Sequence, residues 1–330
     1  MDEYLPIEDL SRVLLTAFEK RKQLSADPDT NAYRIFNGFY EGCPDISIDR
    51  YGSTAVILWT AKRRRPDPET LSFLCETCLK NIPGVESVLF KNRYDLSAEI
   101  KKGVLLAGKQ AEQTIREWGV SYPVSLQLNK DCGFYLDSSL LRKWLLENAK
   151  GRRILNTFAY TGSLGDAAEA GGALSVTQTD LNSNYLSSRH SSQEYIIGDF
   201  FHVTSALRRS ERLFDLIILD PPFFAKAGRG GKVDPARNIT ALVNKIRPLA
   251  AHKGRIISIS NALFLSGEEY LAQIETLCGP WLSVSEIIPV PGSFFGFDPV
   301  PPKDLPADPA PFNHPTKIIV MDVLRKDERV

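Results

Sequence analysis

Apolar residues recur along this chain with two periods, and the change of period divides it. In residues 5–24, Leu10, Val13, Leu14 and Phe18 fall at helical spacing, which predicts an amphipathic helix ended by Asp27-Pro28-Asp29. Short runs follow: Ile35-Phe36, then Ile46-Ser47-Ile48-Asp49 in alternation, a hairpin turn at Asp49-Arg50-Tyr51-Gly52, and Ala55-Val56-Ile57-Leu58. A helix is expected over 68–82 and a further strand at Val88-Leu89-Phe90. From 151 the plan becomes strand–helix alternation. Arg153–Thr157, Leu174–Thr177, Tyr195–Ile197, Phe214–Leu219 and Arg255–Ser260 read as five strands, with a helix at 236–250 and a last strand at Lys317–Met321. That alternation predicts an α/β fold, a doubly wound parallel sheet behind a smaller α+β domain, with 1–125 as the first domain and 126–330 as the second.

Composition narrows the classes. The chain has 330 residues, 43% of them apolar. No stretch reaches the ~18 apolar residues of a membrane span. The start, Met1-Asp2-Glu3-Tyr4, lacks the basic-then-apolar plan of a signal peptide. Cys43, Cys75, Cys78, Cys132 and Cys278 are odd in number and scattered, so thiols in a reducing cytoplasm are expected rather than a disulfide framework. Cys75 and Cys78 form a CxxC by spelling. They fall in the helical series Leu71, Leu74, Cys75, Cys78, Leu79, Ile82 with no second ligand pair, so a helix core is expected there and no metal.

Lys+Arg and Asp+Glu both total 40, and residues 1–125 carry 17 basic against 18 acidic side chains, so any polyanion must be met by local patches. The run Lys62-Arg63-Arg64-Arg65 leads, followed by Arg208-Arg209 and by Lys226, Arg229 and Lys232. Each could equally be a solvated turn. Oligomeric state is not written in these patterns.

The chemistry lies at the ends of the predicted strands. Asp220-Pro221-Pro222-Phe223 directly follows an apolar strand. Two prolines remove two donors and leave carbonyls free. With the Asp220 carboxylate and the Phe223 ring, they suit a planar base with an amino or ring N–H edge. The turn Gly162-Ser163-Leu164-Gly165 follows the first strand, where main-chain N–H groups and a helix N-terminus can meet an anionic group such as a carboxylate. Asp180 ends the second strand, where a carboxylate can accept both hydroxyls of a ribose. Asp199 ends the third, within reach of an adenine amino group. Any one acid could be a helix cap; the ordered set describes a nucleoside along the strand tips with a second planar group beside it.

The motif order resembles class I S-adenosylmethionine-dependent methyltransferases, and within them the 23S rRNA group that includes cytosine carbon-5 enzymes and the guanine N7 enzyme. The residues that carry the likeness are Arg34-Ile35-Phe36-Asn37-Gly38, Asp49-Arg50-Tyr51-Gly52, the block Asn129–Asp137, Phe158-Ala159-Tyr160-Thr161-Gly162, Asp180, Asp199 and Asp220–Phe223. The resemblance implies a Rossmann-like methyltransferase sheet and S-adenosyl-L-methionine as cofactor. It implies cofactor contacts from Lys130, Tyr135, Phe158, Tyr160, Thr161, Gly162, Asp180, Asp199 and Asp220. Asp220, Pro221, Pro222 and Phe223 would face the target base, and the first domain would recognise RNA, large-subunit rRNA in particular.

The sequence departs from that group in several places. A short polar stretch with Ser187-Ser188-Arg189-His190-Ser191-Ser192 replaces a longer helix, and Asp137-Ser138-Ser139 stands for Asp-Gln-Arg. No separate N-terminal RNA-binding module is expected. Where the carbon-5 members place a cysteine after the fifth strand, this chain reads Ser258-Ile259-Ser260-Asn261. Methylating carbon 5 of a pyrimidine needs a thiolate that adds to carbon 6. A purine nitrogen needs only alignment with the methyl group. A base nitrogen is therefore favoured, guanine ahead of adenine, with carbon-5 methylation and a non-catalytic binding module as alternatives. The aromatic Phe294-Phe295-Gly296-Phe297 in a Pro-rich tail reads either as an ordered connection or as a stacking surface for unpaired nucleotides.

Overall fold

The computed structural model describes residues 5–61, 65–186, 192–222, 225–226, 232–233, 239–297 and 315–330. The chain forms two compact units, Met1–Asp137 with Pro291–Val300, and Ser138–Val290 with Pro301–Val330. The boundary expected at 125/126 thus lies twelve residues ahead of the one between the units, and the first unit also takes a later segment.

In the first unit a five-stranded sheet runs β1 (Ala32–Asn37), β2 (Ile46–Tyr51), β3 (Thr54–Trp59), β4 (Ser87–Asn92) and β5 (Val104–Ala107) in sequential order, and β6 (Thr114–Glu117) and β7 (Val120–Pro123) form a separate hairpin. β3 and β4 are parallel, so the chain must cross over between them, and the helix Pro68–Asn81 supplies the crossover. That helix starts cleanly: Pro68 occupies its first turn and the Asp67 side chain accepts from Thr70 N at 2.7 Å. Its Leu74 and Cys78 join Leu10, Leu14 and Ala17 of the helix Ile7–Lys20 in a core over β1–β4. Cys78 is therefore a core residue, and burial pushes its thiol up.

The hairpin turn is displaced from the expected Asp49–Gly52. Strand pairing continues through Tyr51, and the reversal falls at Gly52-Ser53, where Gly52 has φ 60°. Asp49 is a strand residue because it takes a bidentate pair from Arg34 on β1, at 2.7 and 3.0 Å. Arg34 in turn lies 4.4 Å from the Phe294 ring centroid, and Asn37 Nδ2 donates to Phe294 O at 2.7 Å. Phe295 is buried. The aromatic segment is thus an ordered connection packed on β1, and Arg21, buried with Glu41 on a bidentate pair, donates to Ser293 O at 2.6 Å to hold it there.

In the second unit the sheet is built from β8 (Arg153–Thr157), β9 (Ser175–Asp180), β10 (Glu194–Ile197), β11 (Phe214–Leu219), β14 (Ala250–Ser260), β15 (Leu282–Ile288) and β16 (Lys317–Val323). The two-residue β12 (Ala225–Lys226) and β13 (Lys232–Val233) pair apart from it. The spatial order is β10-β9-β8-β11-β14-β16-β15, with the first five parallel and β16 antiparallel to both neighbours. This is a doubly wound Rossmann-like sheet. Parallel strands covered on both faces explain the unbroken apolar runs at Leu216–Leu219 and Ile256–Ile257, all fully buried. The helix Gly267–Glu275 and β15 escape a periodicity reading because their outer faces are polar and their buried apolar side chains are only Tyr270, Ile274, Leu282 and Ile288, with Leu271 and Val284 packed at the core's edge. The order reverses between β8 and β11, and ligands of such sheets bind at the carboxyl ends beside that switch point.

Candidate cofactor and base site

The turn after β8 is strained and tightly held. Phe158, Tyr160 and Gly162 all have positive φ, 56°, 52° and 86°. For the two aromatic residues this conformation costs roughly 1–2 kcal/mol each. Compensating bonds fix it: Ala159 N donates to Thr179 O at 3.0 Å, Tyr160 N to Asp180 Oδ2 at 2.9 Å and Gly162 N to Ala159 O at 2.8 Å. Below the turn lies Gln178, fully buried on β9. Its Oε1 accepts from Asn156 Nδ2 at 2.8 Å, and its Nε2 donates to Gly162 O at 3.3 Å and to Gln193 Oε1. Gln193 passes the network on to Asp166 and Glu169 of the helix Ser163–Ala170. A Cβ at Gly165 would lie 2.4 Å from Gln178 Cδ, so glycine is required there by close approach. The result is a backbone cradle with a helix N-terminus behind it.

The strand-end acids follow in order. Asp180 uses one oxygen on Tyr160 N and the other on Asn182 N, both at 2.9 Å. Each oxygen keeps a second lone pair for a hydroxyl. Asp199 caps the helix Phe200–Arg209, its Oδ1 accepting from Phe201 N at 3.0 Å and His202 N at 3.3 Å. It is a helix cap, and the same Oδ1 lies 3.4 Å from His202 Nδ1. Phe158 stacks on Phe200 at 4.8 Å and Tyr160 meets Tyr185 edge-on at 4.7 Å, so the turn also has an aromatic floor. Thr161 is half-buried in the same turn.

At the end of β11, Asp220 is half-buried, Pro221 buried and Pro222 exposed; Phe223 lies outside the described residues. So do Ser187–Ser191 and the basic Lys62-Arg63-Arg64 and Arg229, while Arg65 pairs with Asp95 at 3.1 Å. Behind Asp220, Tyr270 is fully buried with its hydroxyl 2.7 Å from Ser258 Oγ. Burial pushes the Tyr270 phenol up, and the Asp220 charge adds to the effect.

Lys130 and Tyr135 belong to the first unit, where both are exposed. Their loop hangs on Lys91, a residue that sequence reasoning missed. Its buried ammonium donates to Leu126 O, Asn129 O and Asp131 O at 2.6, 2.9 and 2.7 Å, which uses all three protons. Burial still lowers its pKa, against the pull of Cys132 and Asp131. A lysine closing an apolar strand, Val88-Leu89-Phe90-Lys91, was the available signal. Gln178 and Asn156, on facing positions of β8 and β9, had none, because only strand register brings them together.

Sequence comparison assigns the family. The S-adenosylmethionine-dependent methyltransferase pattern matches residues 84–302. The chain belongs to this family. Its cofactor is S-adenosylmethionine, and the second unit's residues fit that group: a backbone cradle, a carboxylate with spare lone pairs at the second strand tip, and Asn156 Oδ1, buried and without a hydrogen-bond partner among the described residues. The chain is 30% identical over 264 residues to YwbD of Bacillus subtilis, which carries the provisional name of a ribosomal RNA large subunit methyltransferase, covering 76% of this chain and 65% of that one. It is 31% identical to ribosomal RNA large subunit methyltransferase K/L of Shewanella amazonensis, over 70% of this chain and 34% of the other. This methyltransferase-family chain thus spans less than two thirds of the length of these relatives. In fold it is similar to SMU.776, solved in complex with SAH and provisionally described as a methyltransferase, with a TM-score of 0.82 at 23% identity over 98% of this chain and 83% of that one. No described helix is long and apolar enough to cross a membrane.

Proposed function

We propose that this chain transfers a methyl group from S-adenosylmethionine to a base nitrogen of RNA, guanine ahead of adenine, in large-subunit rRNA. The RNA substrate is supported by the names of the relatives. The choice of nitrogen rests on one observation: none of the five cysteines directly follows β11 or β14, where Asp220-Pro221 and Asn261-Ala262 stand. Cys43, Cys75, Cys78 and Cys132 belong to the first unit, and Cys278 follows the helix Gly267–Glu275. Cys132 is buried, and burial pushes its thiol up to about 11, the opposite of what a nucleophile at neutral pH requires.

The bound cofactor supplies an electrophilic methyl group. The turn 158–162 with Asp180 and Asp199 holds it by backbone, ribose and adenine contacts. Cofactor contacts from Lys130 and Tyr135 rest on the family likeness alone and not on their placement, and the first unit is proposed to take up RNA. Asp220, with the carbonyls of the proline turn, accepts from the base's amino or ring N–H edge and so orients a nitrogen lone pair in line with the methyl. In-line positioning supplies most of the rate in such a transfer. The acceptor nitrogen's lone pair would form the new N–C bond as the methyl–sulfur bond breaks and its electron pair stays on the sulfur of S-adenosylhomocysteine; a ring nitrogen without a proton would be left cationic, and an amino or N–H nitrogen would pass its proton to the Asp220 carboxylate.

The test is transfer from labelled cofactor to protein-free RNA of cells lacking the gene, followed by nucleoside analysis. An N-methylated purine is expected; 5-methylcytosine, or no transfer, would sink the reading.

A further inference from the structure

The turn that follows β14 is held more firmly than a surface loop requires. Ala262 and Leu265 are buried, and Leu265 N donates back to Ala262 O at 3.3 Å, which closes the turn. Under it stands Lys317, the first residue of β16, opposite Ser260 of β14. Lys317 is fully buried, and its ammonium donates to Ala262 O and to Leu265 O, both at 2.6 Å. A buried ammonium is costly unless its protons are taken up, so these bonds fix lysine and turn together. On the far side, Ser266 and Glu269 form a reciprocal capping box at the start of the helix Gly267–Glu275, at 3.1 and 2.8 Å. The turn is therefore anchored at both ends and from below.

Its two central residues point the other way. Leu263 and Phe264 are 52% and 50% exposed, adjacent, and apolar. A rigid support that holds two large apolar side chains toward solvent is costly in water and gives a preorganised contact. The turn is also continuous with the proposed base site. β14 lies next to β11 with Ser258 opposite Leu219, so the residues past Ser260 lie at the same sheet edge as Asp220.

We infer that the Lys317-pinned turn is a stacking platform for an unpaired RNA base next to the methylated one, with Phe264 and Leu263 as its contact face. This rests on the RNA-methylation reading above. An unpaired base has an apolar face for such a platform whatever its identity, so the contact adds affinity for single-stranded RNA without reading sequence. Lys317 acts through the turn and touches no RNA; it is a positioning residue.

The experiment is steady-state methyl transfer to protein-free RNA from cells lacking the gene, with the full chain. Wild type is measured first: no transfer to RNA at all would remove the underlying reading and with it this one. With wild type active, Phe264→Ala and Leu263→Ala are expected to raise KM for RNA about 5- to 100-fold. The S-adenosylhomocysteine Kd and the thermal midpoint should stay at wild-type values, and Phe264→Trp should restore KM. Lys317→Met is expected to raise KM in the same direction; if it fails to fold, the Phe264 pair decides alone. An unchanged KM in folded Phe264→Ala, or a loss confined to kcat, would overturn the platform. So would rescue of Phe264→Ala only when ribosomal proteins accompany the RNA, which would make the partner a protein.

Discussion

At Asp180 one side chain holds the turn and is proposed to hold the ribose, and the two roles can be separated. Its carboxylate holds the turn through Tyr160 N and is assigned the ribose through its remaining lone pairs. Asp180→Ala removes a charged acceptor, worth about 1.5–3 kcal/mol per bond, so S-adenosylhomocysteine affinity should fall roughly tenfold or more by calorimetry. A folded variant with unchanged affinity would remove Asp180 from the site. That an acid ends the second strand was legible in the sequence, from the Leu174–Thr177 run ahead of it. That it clamps the turn was not, because Tyr160 reaches it only through a positive φ, which an aromatic residue rarely adopts. The same limit hid Gln178, a polar residue in a buried strand whose partners come from β8, from the Gly162 turn and from Gln193. At the base site, Asp220→Ala should abolish methyl transfer while leaving cofactor affinity within about threefold, if its contacts are made to the base. Full activity in that variant would reduce the proline turn to a structural one.

The elements that carry the site depend on close approach and capping more than on propensity. The helix Ser163–Ala170 lies so near β9 that Gly165→Ala would press on Gln178, which is fully buried and bonded on both sides and so has nowhere to move. Overpacking of this kind costs about 1–3 kcal/mol. The thermal midpoint of Gly165→Ala should therefore drop by several degrees, and cofactor affinity should fall with it, because the strained element is the cradle itself. An unaltered midpoint would mean the helix can shift freely. Asp199→Ala should lose the helix cap, about 0.5–2 kcal/mol, as a lower midpoint at unchanged RNA affinity. β11 and β14 were legible because parallel burial writes itself as apolar runs, and β8, β9 and β10 from shorter apolar stretches that end in a polar or acidic turn. The helix Gly267–Glu275 and β15 were not, since one-sided burial leaves only two buried apolar side chains in each. The expected last strand at Lys317–Met321 is β16, and it pairs antiparallel with β15.

Across the whole molecule, the thiols are where the two reaction classes can be told apart. Four of the five cysteines lie in the first unit, and Cys132 is the one inside a motif that marks the family likeness. Around it stand Tyr51, Lys91, Asp49 and Asp131; burial raises its pKa most, Asp49 and Asp131 add to that, and Lys91 opposes them. The folded-state value of about 11 lies above the ordinary 9.0, so the neutral thiol is the favoured form. Its contribution to stability is complete below pH 9 and is lost as the pH rises toward 11, by about 1.4 kcal/mol per unit. Cys132→Ser should flatten that alkaline limb in denaturant titrations. Tyr51, whose phenol is also pushed up by burial, would leave a residual slope at higher pH. The same variant tests the chemistry. With a nitrogen acceptor no thiolate takes part, so Cys132→Ser should keep most of its methyl-transfer rate, and RNA carrying 5-fluorocytosine should form no covalent adduct with either protein. An adduct with wild type that vanishes in Cys132→Ser would make the thiol a nucleophile, and carbon 5 of cytosine would replace the purine nitrogen as the target.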